Sequence, residues 1–97
     1  MATILPPANV QASDGTHSGF VRITWSASAG ATDYDVYRAD SLTGNATVVG
    51  TTTSLTLDDS TVVPGTVYYF WVRAVLKQYG AVVEKSTFSD PDTGWGA

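Results

Sequence analysis

The segment Val62 to Val75, VVPGTVYYFWVRAV, constrains the fold of this chain more than any other, because Tyr68, Tyr69, Phe70 and Trp71 stand side by side in it. In an extended strand, neighbouring side chains point to opposite faces, so at most half of the four can enter one core. Tyr68, Phe70, Val72 and Ala74 share one face, and Tyr69 and Trp71 share the other. The segment therefore predicts a long, half-buried strand entered through the turn VPGT. The two aromatics left on its second face are either a binding surface or the sheet covering itself.

The same period of two recurs along the chain between turn residues, and no segment has the spacing of an amphipathic helix. Val10 and Ala12, after Pro6 and Pro7, predict a first strand of edge type, since the prolines block pairing at its start. GFVRITW predicts a second strand with Val21, Ile23 and Trp25 inward and Phe20, Arg22 and Thr24 outward. DYDVYRA predicts a third, with Tyr34 and Val36 inward and Asp33, Asp35 and Tyr37 outward; LTGN then turns the chain. ATVVGTTT is a fourth strand, interrupted by Gly50, and SLTLDD a fifth that offers Leu55 and Leu57 to the core. After the sixth strand, KQYGA forms a hairpin tip and the chain returns from Val82 to Phe88 as a seventh, with Pro91 and Gly94 closing it. Seven short strands with turns at roughly ten-residue intervals predict an all-β, antiparallel two-sheet sandwich.

Ninety-seven residues suit a single domain, here 1–97 with its core at about 7–94. Charged residues make up only 14% of the chain, so Thr and Ser supply much of the polar surface, as on the outer faces of a β protein. With no Cys, disulfides and thiolate metal sites are excluded and the core must hold the fold unaided. A net charge of −4 with five Lys and Arg argues against binding a nucleic-acid backbone, and no apolar run is long enough for membrane insertion. The start, MATILPP, lacks the basic and apolar regions of a signal peptide, and Met1 reads as the start of a segment of a longer protein.

Candidates for chemistry are few. The one histidine, His17, lies in SDGTHSG near Ser13, Asp14 and Ser18, but neighbours on one loop have nothing to hold triad geometry. The acidic pairs Asp58 with Asp59 and Asp90 with Asp92 sit in no calcium-loop pattern and read as turn formers, one of the first pair capping the connection before Pro64. Asn45 to Thr47, NAT, has the form of a glycosylation sequon and reads as a turn. Arg73 is expected to face Asp35 across the sheet. The chain is expected to be no enzyme, with no catalytic, metal or cofactor site.

PGTVYYFWVRA, Trp25 at the end of the second strand, and YDVYR from Tyr34 to Arg38 together resemble the fibronectin type III domain, in the form common in bacterial secreted and surface proteins. The order and spacing of the three elements carries the resemblance, which runs from about Pro7 to about Gly94. It implies an immunoglobulin-like sandwich with the first, second and fifth strands in one sheet and the fourth, third, sixth and seventh in the other. It also implies structural roles for Trp25, Tyr34, Val36, Tyr68, Phe70 and Val72. Tyr68 takes the place of the corner tyrosine, whose hydroxyl bonds a backbone group a few residues upstream, near Val62. The hairpin tip reads KQYGAVVE, so integrin binding is not implied.

In that arrangement Tyr37, Tyr69 and Trp71 lie on one outer face, with Tyr79 at the adjacent hairpin tip and Phe88 joining from the last strand. Trp and Tyr are enriched where surfaces anchor partners. Trp95, beyond the last strand, is expected to pack under the sandwich or against a following domain. The resemblance implies a noncatalytic spacer or interaction module of a secreted or cell-surface multidomain protein, monomeric when isolated. Its partners are neighbouring domains and, beyond them, protein or polysaccharide. The alternatives are a carbohydrate-binding module using the outer aromatics and a protein-binding scaffold using the loops ASAGAT and KQYGAVV.

Overall fold

A computed structural model describes residues 4–97. The start at Met1 lies outside them. Eight strands follow one another: β1 (Gln11–Ala12), β2 (Val21–Thr24), β3 (Asp33–Ala39), β4 (Thr47–Thr52), β5 (Thr56–Asp59), β6 (Tyr68–Gln78), β7 (Ala81–Lys85) and β8 (Asp92–Gly94). One sheet has the order β1-β2-β5 and the other β4-β3-β6-β7, with β8 also pairing β6; every strand pair is antiparallel. This is the sandwich predicted from the alternation, with the strand order that the resemblance implies.

The core lies where the inward sets of the two sheets meet. Val21 and Ile23 of β2, Val36 of β3, and Phe70, Val72 and Ala74 of β6 are wholly buried, and Trp25, Tyr34 and Tyr68 nearly so. Each such large apolar side chain stabilises the fold by roughly 1.5–3 kcal/mol through its removal from water. The Trp25 and Tyr34 rings pack 5.6 Å apart, and the Tyr34 hydroxyl accepts the Ser28 N–H at 2.9 Å, tying the loop after β2 to the core. Two turns follow their sequences. Pro64-Gly65 forms a turn closed by the Thr66 N–H on the Val63 carbonyl, with Gly65 at φ +80° as a type II turn requires. Tyr79 and Gly80, both at positive φ, make the two-residue tip between β6 and β7.

Two expectations are corrected. Leu55 is 42% exposed, because the chain bends through residues 53–55 and joins its sheet only at Thr56; Leu57 alone of the two packs against the core. The last strand does not run unbroken to Phe88. Pairing with β6 stops at Lys85, residues 86–91 leave the ladder, and β8 resumes it opposite Tyr68–Phe70.

Candidate functional site

The outer face of the larger sheet is built from β3 and β6, whose register sets Tyr37 opposite Trp71 and Ala39 opposite Tyr69. Tyr69 and Trp71, two residues apart on one strand face, stack with ring centroids 6.2 Å apart and planes 26° from parallel. Phe88 arrives from the break between β7 and β8, its ring 4.8 Å from Tyr37 in an edge-to-face contact. Tyr37, Tyr69, Trp71 and Phe88 thus come together on this face. Trp71 and Phe88, with the turn residues Gly44, Asn45 and Ala46 before β4, line an open hollow of about 330 Å³.

What places Phe88 there is a pair of serines. The N–H groups of Ala74 and Val72 on β6 donate to the hydroxyls of Ser86 and Ser89, both at 2.9 Å. The backbone N–H groups of the same two serines donate to the carbonyls of Ala74 and Val72. Buried ladder groups must find partners, and these hydroxyls replace the carbonyls that a regular strand would present. Thr87 and Phe88 are the residues bracketed between the two anchors, free of the ladder. Both serines are buried. Sequence reasoning missed them; Ser-Thr-Phe-Ser in a segment otherwise readable as a strand was the available signal.

The electrostatics of this face are closed on themselves. Arg73 does lie opposite Asp35 in register, but its Nε donates to the Ser86 carbonyl at 2.8 Å and its guanidinium sits 4.4 Å from the centre of the Phe88 ring. The partner of Asp35 is instead Lys85 at 3.3 Å, together with the Thr51 hydroxyl at 2.9 Å. This corrects the expected cross-strand pair: the outward turn of residues 86–88 offers Arg73 a carbonyl and an aromatic face nearer than the carboxylate. Asp35, although on the outer face, is thereby buried.

Tyr79 does not join the patch. It is fully exposed at the hairpin tip, eight residues beyond Trp71 on β6, roughly 25 Å away at the rise of a strand. Elsewhere, the His17 ring stacks on Phe20 at 4.6 Å, while the Ser13 hydroxyl accepts the Arg22 N–H. Neither contact builds a triad. Arg22 pairs with Asp58 at 2.9 Å on the surface, and its hydrogen bond is the first cause that holds the Asp58 carboxyl below its ordinary value. Asp59 is 1% exposed: one oxygen accepts the Thr61 N–H and hydroxyl, as the expected cap, and the other accepts Arg38 Nη1 at 2.8 Å. Arg38 also bonds the Thr61 hydroxyl and lies 4.7 Å from the Tyr68 ring centre, joining the two sheets at one end of the core. Among the described residues no group of acidic or histidine side chains is arranged to hold a metal ion.

Trp95 packs on this sandwich. Its backbone bonds Ser13 and Gly15 in a parallel bridge, and its indole covers Gly15, where a Cβ would stand 2.5 Å from Nε1. The Tyr68 hydroxyl accepts the Val63 N–H at 3.0 Å, so the corner bond falls one residue beyond the expected Val62.

A comparison with curated protein sequences gives no match. Among solved structures, the chain is similar to an Fn3-like protein from Clostridium thermocellum, with 27% identity, a TM-score of 0.82, and coverage of 99% of this chain and 96% of that one. It is similar in fold to the fn3 domain of the human collagen alpha-1(XX) chain, at 22% identity and a TM-score of 0.70, covering 98% of this chain and 86% of that one. A β-1,2-glucanase from Parabacteroides distasonis contains the same fold, at 20% identity and a TM-score of 0.73; the match covers 98% of this chain and 13% of the glucanase. The family model for the fibronectin type III domain matches residues 5–89. With the corner tyrosine bonded upstream, the strand orders β1-β2-β5 and β4-β3-β6-β7 in place and that model spanning most of its length, the chain belongs to the fibronectin type III domain family.

Proposed function

We propose that the chain is one noncatalytic module of a longer secreted or cell-surface protein, where it spaces and contacts neighbouring domains. The observation that carries this reading is where the chain enters and leaves. At one end, Ile4 and Leu5 bond Glu84 and Ser28, beside the loop after β2 and the β6–β7 hairpin. At the other, Gly96 and Ala97 bond Gly65, His17 and Gly19. The molecule measures 43 Å along its longest axis and 25 and 21 Å across. Neighbours attached at opposite ends of a rigid sandwich are held at a fixed separation, whereas a flexible linker would give a broad spread. Ile4 and Trp95 both pack on the sandwich, which supports a module whose packed part takes in residues 4 and 95. The small share of the glucanase that the match covers is consistent with such a modular setting.

The test uses the parent protein with this module intact, replaced by an unrelated sandwich of equal length, or replaced by a Gly/Ser linker. Small-angle scattering and the activity of the adjoining domain on its largest substrate are measured. The sandwich replacement is expected to preserve the separation and activity, and the linker to broaden the one and lower the other. Equal behaviour of all three proteins, or turnover of a substrate by this chain alone, would refute the reading.

A further inference from the structure

We propose that the hollow between Trp71, Phe88 and the Gly44–Ala46 turn binds a ring of an uncharged carbohydrate. This goes beyond the spacer reading and does not rest on it.

The lining has the two kinds of group that a sugar ring requires. A pyranose presents a C–H face, which packs on an aromatic ring, and an edge of hydroxyls, which both donate and accept hydrogen bonds. Trp71 and Phe88 supply the aromatic surface. Asn45, on the turn, supplies a carboxamide with both donor and acceptor groups. Gly44 and Ala46 beside it are too small to cover the turn's backbone. The volume, about 330 Å³, lies at the lower end of small-ligand sites.

Charge decides against other ligands. No ionisable side chain lines the hollow. The nearest cation in the aromatic cluster, Arg73, already bonds the Ser86 carbonyl and rests on Phe88, and Lys85 is paired with Asp35. An anionic or cationic ligand would therefore meet no counter-charge, while a neutral polyol loses nothing by that. An apolar side chain from a protein partner would fill the aromatic part but leave the carboxamide of Asn45 without a use.

The surface is also held ready. Phe88 is 43% exposed yet fixed by its perpendicular contact with Tyr37, by Arg73 and by the flanking serine anchors, and Trp71 is stacked on Tyr69. Aromatic rings already held in place lose little freedom on binding.

The experiment is an NMR titration of the chain with cellohexaose, laminarihexaose, mannohexaose and chitohexaose, each to about 10 mM, a concentration that reveals millimolar binding. At least one is expected to shift the Trp71 indole N–H, the Asn45 side-chain amide and the Gly44 N–H together. Trp71→Ala should weaken that binding roughly tenfold, by loss of an aromatic contact, and Asn45→Ala about three- to tenfold, by loss of a neutral hydrogen bond. Trp95→Phe, outside the hollow's lining, should leave it unchanged. Asn45 lies on an exposed turn, so its variant still reads the site if Trp71→Ala does not fold. Three results overturn the proposal: no shift with any of the four sugars, sugar binding unaltered in the folded variants, or shifts at these residues that follow protein concentration without sugar, which would mark the hollow as a contact between copies.

Discussion

Single side chains at the ends of strands carry two of the strongest constraints. Tyr68 places its ring in the core and its oxygen under the Val63 N–H, so Tyr68→Phe removes an acceptor and leaves a partly buried donor unpaired. The expected loss is about 1–2 kcal/mol in urea unfolding, with an unchanged m-value. Asp59 carries a carboxylate whose side chain has no exposure, and Arg38 is its cation, itself 23% exposed. Arg38→Met should destabilise by about 3 kcal/mol because it strands a buried charge that Thr61 alone must serve, while the double change Arg38→Met, Asp59→Leu should recover most of that loss. A double-mutant cycle by urea denaturation measures both. This pair was legible in the alternation had it been followed one step further. Arg38 continues the parity of Tyr34 and Val36, and Asp59 that of Leu57, so opposite charges fall at the last inward position of facing strands. The surface pair behaves differently: the folded carboxyl of Asp58 titrates below its usual 3.8, so its small stabilisation is present above that value and fades as pH falls through the lowered one. Asp58→Asn should flatten the acid limb of the stability curve only slightly, since solvent screens the pair.

Among the elements, β6 was readable almost in full, because four buried residues at period two and an aromatic outer row leave one orientation for the strand. Its partner was not. Ser86 to Phe88 has the composition of a continuing strand, and period two cannot say whether a serine hydroxyl or a backbone carbonyl will meet the next N–H. The break follows from the two serines acting together. Ser86→Ala and Ser89→Ala are each expected to cost about 1–3 kcal/mol, the penalty of a buried N–H without an acceptor. Loss of either hydroxyl should raise hydrogen exchange at Val72 or Ala74, and because the serines also position Phe88, the ring-shifted resonances of Tyr37 should move; a stability loss with Tyr37 undisturbed would assign the serines to the ladder alone. The same limit explains Leu55, whose parity is right and whose strand begins one residue too late.

The molecule as a whole is closed by its two terminal segments. Residues 13–17 run parallel to 95–97, joined by the bonds Gly15 to Trp95, Trp95 to Ser13 and Ala97 to His17, while Asp92 accepts the Ala12 N–H at 2.8 Å. Gly94 lies between the sheets, where a Cβ would stand 2.6 Å from the Ser13 carbonyl and 2.7 Å from the Ala12 Cβ. Gly94→Ala should therefore force the segments apart and lower the melting temperature markedly, by the overpacking loss of about 1–3 kcal/mol. Pulling on the two ends draws these parallel segments past each other, so their bonds are loaded together rather than one at a time. In single-molecule stretching, a higher unfolding force is expected between residues 4 and 97 than between residue 97 and the Tyr79 tip. Trp95→Ala should lower the first more than the second; equal forces along both directions would show that the terminal pairing bears no load.

From the sequence alone came the all-β class and the inward set of β2, β3 and β6, because each depends on local alternation and on turn residues whose backbone preferences are intrinsic, while the family and the corner at Tyr68 came from the resemblance of its motifs. The tertiary structure decided which outward residues become neighbours. Tyr37 and Phe88 are fifty-one positions apart, and their contact depends on a strand break anchored by serines against a third segment. Arg73 is drawn from Asp35 to Ser86 and Phe88 by that same break, and Trp95 finds its seat only where Gly15 leaves room for an indole. Contacts of this kind arise from the meeting of distant segments, and period two along one segment carries no information about what another will place beside it.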